Sequence, residues 1–191
     1  MTTDFIWHRR AQSCIAGNYL NPSKNPSAYV FGVYPTHILY GQGCYLIDHK
    51  GKKYLDFMAG QGTSLLGYAH PRVNEAMRKA LDRGACHSLA STYEVEAAEK
   101  LKELVPFIDC VRWFKSESDA RIAANRLSAG KLTIRDEVQS GFRHPKYTLS
   151  GLENTVPDLI ILGGAIANGM PLACVGGKYA VKKEMDYANS I

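Results

Sequence analysis

The sequence lacks any long apolar run. No stretch approaches the roughly 18 residues that a membrane-spanning helix needs, so a membrane partner is not expected. The first residues include Asp4, His8, Arg9 and Arg10 and have no apolar core of signal-peptide length. Paired cysteines are missing too. The five cysteines, Cys14, Cys44, Cys86, Cys110 and Cys174, are odd in number and form no C-x-x-C pair. This argues against a disulfide framework or a bound metal and for reduced thiols in a cytoplasmic protein. Charge is not concentrated either. The net charge of +5 is spread along the chain without a block of about five like charges. Nucleic acid is therefore not an expected partner, whereas small anions such as phosphates are compatible with it.

What is present is a globular pattern, with 46% hydrophobic and 21% charged residues. A length of 191 residues suits one large domain or a domain with an appendage. Residues 1–35 read as an irregular arm, with turn signals at Asn21-Pro22-Ser23 and Asn25-Pro26-Ser27. Residues 43–57 read as a β-hairpin, with strands over 44–48 and 53–57 and Gly51 in the turn. Together, residues 1–57 are expected to form an arm and hairpin ahead of an α/β domain over 58–191.

Within that second part the apolar period alternates between helix and strand. Pro71 opens a helix over 71–83 whose Val73, Ala76, Met77, Ala80 and Leu81 share one face. Ser91 and Glu94 fit a capping box ahead of a helix over about 92–105. Short strands are expected at 111–114, 132–134, 159–162 and 172–175, with a helix from Ser118 to about Leu127. Such alternation argues for an α/β fold.

Two places invite chemistry. Asp136 follows a short apolar strand, and the carboxyl ends of strands are where open α/β sheets bind ligands. A carboxylate there can hold a pyridine nitrogen protonated and make the ring an electron sink. A helix cap or a surface loop acid is the alternative. Ser116-Glu117-Ser118-Asp119-Ala120 places hydroxyl residues at a helix start, which is a ready anion site. A plain serine cap is the alternative there.

The octamer Asp136-Glu137-Val138-Gln139-Ser140-Gly141-Phe142-Arg143 resembles the D-E-V-Q-x-G-F-R signature of class III aminotransferases, which use pyridoxal 5'-phosphate. The resemblance continues through Tyr40–Phe57, Gly67-Tyr68-Ala69-His70-Pro71, Pro157–Gly163 and Ala165–Leu172. Its style is closest to the glutamate-1-semialdehyde 2,1-aminomutase-like branch. It implies part of a fold-type-I aminotransferase large domain, a cytoplasmic homo-oligomer, and substrates that are an amino-group donor and a carbonyl acceptor. It also implies that Asp136 pairs with the cofactor's ring nitrogen, that Val138 packs behind the ring and that Gln139 lies near the ring hydroxyl. Ser118 and Ser116 match the family's phosphate-binding S/T-G-S/T-(E/D)-A motif. The loop Ala59-Gly60-Gln61-Gly62-Thr63 resembles a part that helps line the site.

The chain departs from the family in several places. The Schiff-base lysine should follow Gly163, and Gly164 stands there. Lys115, Lys131, Lys178, Lys182 and Lys183 do not match that position, so covalent attachment is not expected. Glu117 replaces the middle glycine of the phosphate motif. A long family segment, with the aromatic residue that stacks on the ring, has no counterpart between Leu127 and Asp136. Neither His87 nor Tyr93 is assigned to that stacking role; His87 reads as a surface or interface histidine and Tyr93 as a helix residue. The family's later threonine loop and small C-terminal domain have no match before Ile191. These departures leave two expectations: an aminotransferase relative with fewer sheet strands, bare edges and a tendency to self-associate, or a non-catalytic remnant that binds a phosphate ligand or a protein partner.

Overall fold

The computed structural model describes residues 5–30, 33–84 and 87–181. Cys86, Lys182, Lys183 and residues 187–191 lie outside the described residues. By internal contacts the chain forms two compact units. One is Met1–Phe57 with Tyr68–His70; the other is Met58–Gly67 with Pro71–Ile191.

The first unit holds a helix where the sequence suggested an irregular arm. Helix α1 (Ile6–Cys14) contains neither glycine nor proline, and Arg10 lies over the Trp7 ring at 4.5 Å. Local helix formers and this contact outweighed the polar character that argued for a loop. The Asn-Pro signals do form turns, as two short 3-10 segments, and the Asn25 side chain accepts from the Ser27 N–H at 3.0 Å. Strands β1 (Ile38–Gln42), β2 (Tyr45–Asp48) and β3 (Lys53–Leu55) form an antiparallel sheet in that order. The hairpin was legible; β1 was not, because only its pairing with β2 marks it as a strand. The buried Asp48 carboxylate ties the hairpin turn, accepting from the backbone of Lys50 and Lys52 at 2.9 Å and from Tyr54 Oη at 3.0 Å.

The second unit is a four-stranded sheet flanked by helices. Helix α2 (Pro71–Leu81) is followed by α3 (Thr92–Leu104), β4 (Cys110–Phe114) and α4 (Glu117–Ser128). Then come β5 (Ile134–Asp136), α5 (Leu149–Glu153), β6 (Leu159–Leu162) and β7 (Ala173–Gly177). The sheet order is β4-β7-β6-β5; β5 and β6 run parallel, and β7 is antiparallel to both of its neighbours. Strand β6 splits the core by its period of two. Leu159 and Ile161 pack with Ala120 and Ala124 of α4, whereas Ile160 and Leu162 pack with Leu101, Val105 and Ile108. Each of the buried leucine, isoleucine and valine side chains among these contributes roughly 1.5–3 kcal/mol.

The capping box at Ser91 and Glu94 is formed. The apolar stripe of α2 is not covered, and Met77 and Leu81 stay exposed. The strand expected at 132–134 begins two residues later. Thr133 is held instead by Asp158, whose carboxylate accepts from its N–H at 2.9 Å and its hydroxyl at 2.7 Å. Asp136 is therefore the last residue of β5. The short junction before that strand is made by Ala129 and Gly130, both left-handed at φ 42° and 77°.

Among the described residues no helix is long and apolar enough to cross a membrane, and no group of side chains could hold a metal ion. Cys14, Cys44, Cys110 and Cys174 are free thiols. Burial pushes the Cys174 thiol up to about 12, so it stays protonated.

One buried carboxylate organises the segment after β5. Glu137 is fully buried and accepts from the N–H of Ser150 at 2.7 Å, from Ser150 Oγ at 2.6 Å, from Ser140 Oγ at 3.1 Å and from the N–H of Leu149. Two of these donors begin α5, so Glu137 caps that helix from outside it. Burial alone would raise its pKa. The hydrogen bonds from Ser150, Leu149 and Ser140 outweigh burial and hold it below the usual glutamate range. Its stabilising effect is therefore complete above the unfolded-state pKa and is lost as pH falls through the lower folded value. Glu137→Ala should cost about 3 kcal/mol at neutral pH, because it leaves buried N–H donors without a partner. Urea unfolding of both proteins between neutral and acid pH should show this gap narrowing as the pH falls. A gap that does not change with pH would rule out the charged carboxylate as its source.

Candidate active site

The ends of β4, β5 and β6 converge with the loop at 59–64 of the same unit. Strand β5 delivers Asp136 at its end. Asp136 Oδ1 accepts from the Val138 N–H at 3.1 Å, which turns the chain sharply after the strand. Asp136 Oδ2 accepts from Arg121 Nε at 2.6 Å. The two side chains are 42% and 40% exposed, so the pair is reachable from solvent. Arg121 sits one turn into α4, and its Nη1 lies 4.0 Å from Glu117 Oε2. The guanidinium thus bridges the end of β5 and the first turn of α4. The Asp136 hydrogen bond raises the pKa of Arg121, which is charged at every accessible pH.

Glu117 is the second organising group. A Cβ placed on Gly163 would stand 2.7 Å from Glu117 Cγ, and one on Gly164 would stand 2.9 Å from Glu117 Oε1. The carboxylate therefore lies directly against the Gly163-Gly164 backbone. Gly164 also has a left-handed φ of 54°, with Thr63 on its other side. Glycine takes this conformation without strain and leaves room for the Glu117 carboxylate.

Ser116 is the N-cap of α4, which begins at Glu117, one residue before the start read from the sequence. Its Oγ accepts from the Asp119 N–H at 3.1 Å and donates to the Asp119 carboxylate at 2.6 Å. Ser118 lies exposed in the same first turn. The positive end of this helix thus already faces two carboxylates of its own, Glu117 and Asp119.

Val138 is buried in the core with Ala120 and Ala124. Gln139 is exposed, and its side-chain oxygen lies against Gly62, 3.0 Å from where a Cβ would be. Arg143 locks this contact by donating to the carbonyls of Gln139 and Gly62. On the far side Asn168 donates to the Gly67 carbonyl at 3.0 Å and accepts from the Leu66 N–H at 2.9 Å. The loop at 59–67 is thereby fixed to the segment that follows β6.

Asp136, Val138, Gln139 and Gly164 thus come together, with Ser116 and Ser118 at the start of α4. Sequence reasoning missed Arg121 and the partners of Glu117. The spacing held one clue: Arg121 falls four residues after Glu117, so both project from one helix face. His87 is exposed near the Arg83 carbonyl, and Tyr93 lies in α3, where its hydroxyl accepts from Arg83 at 3.1 Å.

The family described as aminotransferase class-III matches residues 32–131. A glutamate-1-semialdehyde 2,1-aminomutase of Syntrophobacter fumaroxidans is 38% identical over 116 residues, which are 61% of this chain and 26% of that protein. The aminomutase of Thermus thermophilus is 35% identical over 124 residues, which are 65% of this chain and 29% of that protein. Among solved structures, the FumI protein of Sphingopyxis sp. MTA144, in its PLP internal aldimine form, superimposes with a TM-score of 0.87. It is 17% identical, and the match covers 97% of this chain and 66% of that one. An omega-transaminase from Sphaerobacter thermophilus gives 0.81 at 16% identity, covering 95% and 65%. The chain thus spans under a third of the curated relatives and about two thirds of these structures. Its fold is a partial fold-type-I transaminase α/β fold.

Contact between Glu117 and Gly164 can be measured. Gly164→Ala should destabilise by about 1–2 kcal/mol through the left-handed backbone, plus a further cost for the overlap with Glu117. In a Glu117→Ala background only the backbone cost should remain, giving a coupling of about 1 kcal/mol in urea unfolding. Strict additivity would mean that the carboxylate does not rest on this glycine.

Proposed function

This chain belongs to the aminotransferase class-III family, and from that premise we propose that it is a piece of a transaminase or aminomutase cofactor domain that does not complete amino transfer by itself. The family is pyridoxal-phosphate dependent. The chemistry for which such a domain is built is the transfer or shift of an amino group between an amino donor and a carbonyl acceptor. The similarity to glutamate-1-semialdehyde 2,1-aminomutases favours a small amino-carbonyl substrate of that kind. A cytoplasmic, self-associating protein is the corresponding setting.

What supports this reading is Gly164, which stands where the resemblance puts the Schiff-base lysine and is packed against Glu117. In this family the lysine supplies both the covalent link and the amine that moves the substrate proton. A glycine supplies neither. As folded, the residues around the site also do not fit pyridoxal phosphate. The Asp136 carboxylate that would face a ring nitrogen is held by Arg121, and the helix start that would take the phosphate carries Glu117 in place of the motif's glycine.

A second reading, a remnant that binds a protein partner, draws on a different feature. Strand β5 ends the sheet, and the apolar stripe of α2 is exposed. Exposed strand edges and apolar faces favour pairing with another chain.

Incubation with pyridoxal phosphate, borohydride reduction and peptide mapping test the first reading. No lysine should be labelled stoichiometrically, and an amino donor with a carbonyl acceptor should react no faster than in a blank. One fully labelled lysine together with turnover would overturn it.

A further inference from the structure

Arg121, Asp136 and Glu117 form a charge line across the place where the family's ligand would lie. The central group is a cation. Arg121 Nε stands 2.6 Å from Asp136, and its Nη1 lies 4.0 Å from Glu117. A protonated pyridine presents one N–H to such an aspartate, and the guanidinium presents the same charge and the same kind of donor. Glu117, meanwhile, occupies the space above Gly163 and Gly164 and adds negative charge at the start of α4. A phosphate brought there would meet like charge on Glu117, which stands where the phosphate motif has glycine.

We propose that Arg121 and Glu117 are a built-in occupant that closes this site to pyridoxal phosphate, and that they set its ligand specificity by exclusion. The proposal rests on the cofactor-domain reading above and deepens it. The guanidinium takes the ring nitrogen's partner, and the carboxylate takes the space and the electrostatic environment of the phosphate and the lysine. The two act as a unit, because removing Glu117 alone leaves Asp136 neutralised, and removing Arg121 alone leaves the phosphate repelled. An ion pair this exposed is worth only about 0–1 kcal/mol, so Arg121 alone weakens a competing ligand by up to about fivefold and Glu117 supplies the rest of the exclusion.

The probe is pyridoxine 5'-phosphate, which carries the ring nitrogen and phosphate but no aldehyde. It cannot form a Schiff base with surface lysines, so its binding reports the site alone. The full chain should show no saturable binding below about 1 mM by titration calorimetry. Arg121→Gln with Glu117→Gly should gain at least about tenfold in affinity, and either substitution alone should gain less than the pair. Adding Asp136→Asn should remove the gain, because the ring nitrogen then loses its anionic partner. Saturable micromolar binding to the unmodified chain would overturn the proposal without any variant. A double variant that unfolds cooperatively in urea yet binds no better than the unmodified chain would also overturn it. Neither outcome bears on lysine labelling or turnover, so this proposal and the reading it rests on fail separately.

Discussion

Everything at this site rests on a carboxylate that never reaches solvent. Glu137 sits between Asp136 and Val138, and its oxygens gather the N–H groups of Leu149 and Ser150 and the hydroxyls of Ser140 and Ser150. Those bonds fold the stretch from 137 to 153 back on itself. They fix the backbone on either side of Glu137, so Asp136 closes β5 and Val138 turns into the core beneath α4. A fully satisfied buried charge of this kind specifies one geometry, because any other arrangement leaves donors and charge unpaired in a low-dielectric interior. The position of Asp136 follows from Glu137 more than from β5, which is only three residues long.

From that fixed point the local electrostatics follow. Asp136 is turned toward α4 and meets Arg121, while Glu117 one turn earlier meets the glycine pair after β6. Two positions that look unrelated in sequence, Glu117 and Gly164, are neighbours in space. A side chain at 164 and the Glu117 carboxylate compete for the same volume, and the backbone at 164 is left-handed. A side chain at 164 would require the Glu117 carboxylate to move aside.

Much of this was legible beforehand, for identifiable reasons. The octamer from Asp136 to Arg143, which follows the matched residues 32–131, packs a strand end, a buried acid and a tight turn into consecutive residues. The continuous apolar run Leu159–Leu162 and the capping box at Ser91 and Glu94 are local signals, and both appear as local structure. Helix α1 and strand β1 were not legible. The first competes with a polar composition, and the second becomes a strand only through its partner β2. The start of β5 was misplaced because Asp158, distant in sequence, captures Thr133. Arg121 was missed for the same kind of reason: its role depends on a contact across 15 residues. The apolar face of α2 was correctly seen as a stripe, yet a stripe alone does not say what covers it.

Arg121 and Glu117 are proposed to stand where a bound cofactor would stand, and a crystal structure of the unmodified chain grown with saturating pyridoxal phosphate tests this directly. Arg121 Nε should still lie on the Asp136 carboxylate and Glu117 over Gly163 and Gly164, with no ring density between them. A pyridine ring stacked beside Val138 with its nitrogen on Asp136, and Arg121 swung away, would contradict it.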